Sequence, residues 1–304
     1  MGGRSSAPLP PPPPLVRAGS AGAIARLLSS SEWQALNSAS QAAKGGTATK
    51  LLLIAAAGLP PMQLISAVQL RKLGRFPANR EGYAEDARGV LAGGGAVLMF
   101  FSHRWLRPVD GFPDDEQHSK LTALLSFSDS YERKYPGRQI YFWIDYTCIA
   151  WDNRATGIAA LPAYVAACTD LVIFLTNDYT ARAWCRLELA VAYSFMFAGE
   201  VPWVIQPGFA AQRGPLHALG ARSIALLDPR DGAVTVVEDL EHICSLLEIA
   251  RQSTAAAAWG GAARTLVFGA DGTTLQAVTL LDSGSSGAPS PAGSLEASVL
   301  GEAS

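Results

Sequence analysis

Trp184 and Glu188 stand four residues apart in the run Trp184-Cys185-Arg186-Leu187-Glu188. On a helix that spacing puts an indole and a carboxylate on one face, one turn from each other. The ring offers a stacking surface and the acid a charge. Three polar clusters each follow a short apolar run: Ser102-His103-Arg104-Trp105, then Asp145-Tyr146-Thr147-Cys148, then Asn177-Asp178-Tyr179, with the Trp184 segment just beyond. Ligands of open parallel sheets bind at the carboxyl ends of the strands, so these clusters are expected on one sheet edge. Each has a plainer reading. Trp184 could be ordinary core, Asp145 a loop cap, and Arg104 the ion-pair partner of Asp145. Cys148 and Cys185 read as buried small apolar residues, since neither lies in an electropositive setting that would activate a thiol. His103 beside Ser102 is no triad, and the chain has no G-x-S-x-G elbow. The glycines at 93–95 precede a strand, unlike a dinucleotide fingerprint, and Asp114, Asp115 and Glu116 read as a helix start, where acids favour the dipole, with no metal site implied.

The elements that must carry these residues follow from rhythm. After Gly95, short apolar runs alternate with helical stretches, the pattern of a parallel sheet covered on both faces. Strands are expected at 96–101, 139–144, 171–176, 202–206 and 223–227. Helices are expected at about 115–134, 157–168, 181–198 and 236–252. Five βα units make a doubly wound, flavodoxin-like five-stranded parallel sheet the economical α/β fold. Residues 1–20 hold the run Pro10 to Pro14 and read as a polyproline-type disordered tail. Residues 21–93 have apolar positions at helical spacing (Leu27, Leu28 and Trp33; Leu51 to Ala57; Leu64, Ile65, Val68 and Leu73) and read as a helical N-terminal region. The sheet domain spans 94–252. Beyond it, 253–304 is a low-complexity tail, with a hairpin signal at 265–281 around Ala270-Asp271-Gly272.

Composition narrows the partners. With 304 residues, about half of them hydrophobic and 16% charged, a sizeable core is available. The net charge of −2 and the lack of a basic stripe argue against nucleic acid. Four scattered cysteines without a C-x-x-C pair suit neither a disulfide framework nor a zinc ribbon, and fit a reducing compartment. The longest apolar run, Leu51 to Leu59, is too short to span a bilayer, so a soluble, cytoplasmic protein is expected. The opening Met1-Gly2-Gly3-Arg4-Ser5-Ser6 matches the myristoylation pattern, and one acyl chain at Gly2 would give marginal membrane binding. Arg4, Arg17 and Arg26, with no acid before Glu32, equally suit an organellar transit peptide.

Several of these residues also carry a family resemblance. Val97-Leu98-Met99-Phe100-Phe101-Ser102-His103 resembles the first-strand motif of Toll/interleukin-receptor (TIR) domains, and Trp184-Cys185-Arg186-Leu187-Glu188-Leu189 is similar to their W-C-x-x-E-L motif. Tyr141-Phe142-Trp143-Ile144-Asp145-Tyr146-Thr147-Cys148-Ile149 resembles the W-I-D-x-x-C-I-D-Q signature of fungal heterokaryon-incompatibility domains, relatives of the same fold. Ala150-Trp151 stands where that signature has Asp-Gln, and only Asp152 is kept. The resemblance covers roughly half the chain.

It implies that Glu188 is the catalytic acid of an NAD glycohydrolase, with NAD as substrate and no cofactor, acting in stress or defence signalling. Trp184 would stack on the ligand or shape the pocket. Ser102, His103 and Arg104 would contact phosphate or base, with Trp105, Asp145 and Tyr146 completing the substrate site. It also implies a homo-oligomer formed through the TIR-like domain. Two other functions stay open: a non-catalytic domain acting by self-association, and a nucleoside-processing enzyme on a related fold. The glycohydrolase reading, unlike the non-catalytic one, requires Glu188 to open into a pocket shared with Ser102, Arg104 and Asp145.

Overall fold

The computed structural model describes residues 18–36, 46–195, 202–208, 211–213, 228–255, 262–268 and 275–281. Its centre is a mostly parallel sheet. The strands are β1 (Gln63–Ser66), β2 (Glu85–Asp86), β3 (Ala96–Ser102), β4 (Gln139–Trp143), β5 (Asp170–Phe174), β6 (Trp203–Ile205) and β7 (Gln212–Arg213), in the order β2-β1-β4-β3-β5-β6-β7. The inner four, β4-β3-β5-β6, are parallel, with Met99 opposite both Phe142 and Asp170. β1 and β7 flank them as antiparallel neighbours, with β2 paired antiparallel beyond β1. A separate antiparallel pair, β8 (Ala262–Phe268) and β9 (Leu275–Leu281), spans the hairpin signal at 265–281.

The inner strands are apolar throughout because both faces are covered. Side-chain alternation sends Val97, Met99 and Phe101 of β3 into one core and Leu98 and Phe100 into the other. Against the first face pack the helices Ala67–Leu73 and Ser119–Lys134, the latter through Leu121, Leu124 and Phe127. Against the second pack Leu161–Ala167, Ala183–Phe195 and Asp239–Ala255, together with Ile24, Leu28, Trp33, Leu51 and Ile54 from the N-terminal helices Ala18–Ser29, Ser31–Leu36 and Gly46–Ala56.

Several expectations need correction. Residues 21–93 are not helical throughout: Gln63–Ser66 is a strand that joins the sheet beside β4. Among the described residues the parallel strands number four, and the fifth expected one, 223–227, lies outside them. The helix expected at 157–168 is two helices, Arg154–Ala159 and Leu161–Ala167. Pro162 has no N–H for a continuous ladder, and it sits instead in the first turn of the second helix.

The helix expected from Asp115 begins at Ser119, and the two aspartates cap it from outside. Asp114 accepts the backbone N–H groups of Lys120 and Leu121 at 3.0 Å each, and Asp115 accepts that of Ser119 at 2.8 Å. The Lys120 ammonium turns inward and donates to the carbonyls of Arg104 (2.6 Å) and Pro113. One cap therefore fixes both the helix and the loop that leaves β3. Asp114→Ala, which strands two buried donors, is expected to lower unfolding stability by about 2 kcal/mol, read from urea melts.

Candidate active site

Glu188 sits on the second face of the sheet, beneath the tip of β3. The period-2 alternation that sends Phe100 into that core also sends Ser102 there, and Ser102 is fully buried. Its hydroxyl donates to Glu188 Oε2 at 2.5 Å and lies 2.5 Å from the hydroxyl of Tyr179, itself fully buried. Tyr179 donating to Ser102, and Ser102 to Glu188, completes a three-member chain. Glu188 is only 7% exposed. Burial pushes its carboxyl up to about 8 against the opposing Ser102 bond, with a smaller push from Asp145.

The loops after β3 and β4 form the near wall. His103 is buried and stacks on Phe101 at 4.8 Å between ring centroids. Desolvation, helped by the nearby Lys120, lowers its imidazole to about 4, so the ring is neutral at physiological pH. Among the described residues its Nε2 has no hydrogen-bond partner, and it stands 3.6 Å from Asp145 Oδ1. Asp145 is held by neutral donors, the Trp105 indole N–H (2.8 Å) and the Tyr146 backbone N–H (2.6 Å). Trp105 and Tyr146 meet edge to face at 5.5 Å. Arg104 does not pair with Asp145. It pairs with Asp178, because β5 lies directly beside β3 and delivers its own acid to that tip.

The far wall is the start of the Ala183–Phe195 helix and the segment that clamps it. Ala183 N–H donates to Ala233 O at 3.1 Å, and Ala233 N–H donates to Ala181 O at 2.7 Å. Gly232 passes so close that a Cβ there would meet Ala183 N and Cα at 2.5 Å. This clamp sets Asp239 to accept the Trp184 indole N–H at 2.9 Å, and Thr235 to accept from Arg182.

Between the walls lies a cleft of about 280 Å³, near the lower end of the ~300–1,000 Å³ range of small-molecule sites. His103, Arg104, Trp105, Asp145, Tyr146, Trp184 and Glu188 all line it; Ser102 does not, and acts on the cleft through Glu188. The spacing of Trp184 and Glu188 therefore puts both on one cavity wall. Cys185 also reaches the cleft, but burial raises its thiol well above the usual range, and that of Cys148 to about 12, so neither is a thiolate at neutral pH.

Sequence reasoning gave no role to Tyr179, Arg154, Arg182 or Asp239. Tyr179 was within reach, since it ends the polar cluster after the third apolar run. Asp239 gave no signal, because its bond to Trp184 spans 55 residues. Chemically, the cleft offers a buried acid, aromatic walls and a neutral imidazole, a set suited to holding a planar group beside a centre that develops positive charge. Comparison with protein-family models, with curated proteins and with solved structures finds no match to this chain.

Proposed function

We propose that this chain is a TIR-like NAD glycohydrolase, cleaving the nicotinamide–ribose bond with Glu188 as the catalytic carboxylate. The observation that carries this reading is the placement of Glu188: buried, bonded to Ser102, and open to a cleft it shares with Trp184, Arg104 and Asp145. The sheet order β4-β3-β5-β6, second-first-third-fourth among the parallel strands, supports a flavodoxin-like arrangement of the TIR type.

In this mechanism the C1′–N bond of the ribosyl pyridinium breaks and its electron pair stays on the ring nitrogen, so nicotinamide leaves neutral without needing a proton. The ribose carbon gains oxocarbenium character, which the Glu188 carboxylate stabilises from the low-dielectric side of the cleft. Water then adds at C1′, and its proton passes to Glu188. Trp184 forms the wall against which the planar ring lies. The neutral His103 adds no positive charge that would repel the pyridinium.

Because Glu188 is mostly protonated at pH 7 in the free protein, kcat/KM should rise with pH up to about 8 and then level. Purified protein incubated with NAD at pH 6 to 9, at high concentration as well as dilute, should release free nicotinamide with that profile. An absence of nicotinamide at every concentration would remove the reading.

A second reading, a non-catalytic domain acting by self-association, draws on exposed apolar side chains: Trp151 on the cleft lining, and three next in the chain to lining residues Pro108, Gly111 and Val236. Val109, Phe112, Trp151 and Val237 are all exposed, Val109 by 83%. Homo-oligomers seen by light scattering, lost on Val109→Asp, would favour it. In both readings the protein acts in the cytoplasm, with weak membrane attachment if Gly2 is myristoylated.

A further inference from the structure

The carboxylates and guanidiniums of the cleft do not neutralise one another across it. Asp145, Asp239 and Glu188 are each held by neutral donors, two indoles and a hydroxyl among them. Arg104, the arginine that the sequence motif offered for phosphate contact, is consumed by Asp178. Two other arginines line the same cleft, Arg154 and Arg182. Among the described residues neither is ion-paired. The Arg154 guanidinium lies over the Trp151 ring, 5.8 Å from its centroid, so it is oriented by a π-face that leaves its donors free. Arg182 donates to Thr235 Oγ1, a neutral hydroxyl, and keeps its remaining donors.

We infer that Arg154 and Arg182 form a phosphate-holding subsite of this cleft, taking the pyrophosphate bridge of a dinucleotide. The identity of the ligand as a dinucleotide rests on the glycohydrolase reading; the demand for an anion does not. Guanidinium forks match phosphate oxygens two at a time. Acids and bases kept apart in one cavity fit a ligand that carries both signs, a cationic ring toward Glu188 and an anionic bridge toward the arginines.

The test is calorimetric titration of the full chain with ADP-ribose, which has the pyrophosphate but no nicotinamide bond to cleave. Wild type is compared with Arg154→Gln, Arg182→Gln and the charge-retaining Arg154→Lys and Arg182→Lys, with unfolding midpoints measured for each. Each Gln variant should weaken ADP-ribose by about 10- to 100-fold and flatten the salt dependence of binding. The Lys variants should recover part of the affinity and the salt slope, which a loss of local structure would not allow. Unchanged affinity in both Gln variants, or no ADP-ribose binding to wild type, overturns the subsite. Arginine-dependent binding without nicotinamide release from NAD keeps the subsite and removes the glycohydrolase reading instead.

Discussion

Glu188→Gln should slow nicotinamide release by about two to three orders of magnitude and, at the same time, make the protein more stable at pH 8. The two effects share one cause. Burial raises the Glu188 carboxyl from 4.5 to about 8. Between those values the folded state binds more protons than the unfolded chain, so stability falls as pH rises through that window. Integrated from pH 5 to pH 8, the loss from this one group is on the order of 3 to 4 kcal/mol. Gln is close in shape, accepts the Ser102 hydroxyl and cannot ionise, so it removes the loss. Urea melts should therefore match near pH 5 and diverge toward pH 8, with the Gln variant ahead. His103 and Lys120, lowered to about 4 and about 7, titrate alike in both proteins, so the difference between them isolates Glu188. The same substitution deletes the charge that would stabilise the oxocarbenium, and by analogy with other preorganised groups should lower kcat by about 10² to 10³. Parallel stability curves would mean that Glu188 is not held in a desolvated site, and its catalytic role would lose its physical basis.

The parallel strands were legible because burial on both faces leaves uninterrupted apolar runs; β3, β4, β5 and β6 lie within about three residues of where Ala96-to-Phe101 and its successors placed them. β1 escaped because it is only four residues long. Its two inner residues, Leu64 and Ile65, face opposite cores, which in a short stretch reads as well for a helix as for a strand. In the site, the Trp184–Glu188 pair is a local spacing and needs no tertiary knowledge. The partner of Arg104 was different. Acids follow both β4 and β5, and both strands neighbour β3, so sequence could not choose between Asp145 and Asp178. Arg154 and Arg182 were hidden for a related reason: an unpaired charge is visible only once every acid within reach has been placed.

The far wall of the cleft depends on one glycine. Gly232 has φ −83° and ψ 151°, a conformation open to any residue, so its requirement is steric. A methyl at that position would sit 2.5 Å from the N and Cα of Ala183 and 2.9 Å from its Cβ. The obstructing atoms are largely backbone at the start of the helix that carries Trp184 and Glu188, so they cannot turn aside as a long side chain could. Gly232→Ala must separate the two strands of the clamp and break the Ala183–Ala233 and Ala233–Ala181 hydrogen bonds. Overpacking of about 1 to 3 kcal/mol and two lost bonds of about 1 kcal/mol each give an expected loss of roughly 3 to 5 kcal/mol in urea unfolding. Gly89→Ala supplies the comparison. That glycine lies in the helix Ala87–Ala92 with open space around its missing Cβ, and its replacement should be neutral or stabilising by up to about 1 kcal/mol. Separation of the clamp also withdraws Asp239 from Trp184 and Thr235 from Arg182. The Gly232 variant should therefore bind ADP-ribose more weakly even where it stays folded. Normal stability and normal binding together would show that the segment 228–239 neither braces that helix nor shapes the cleft.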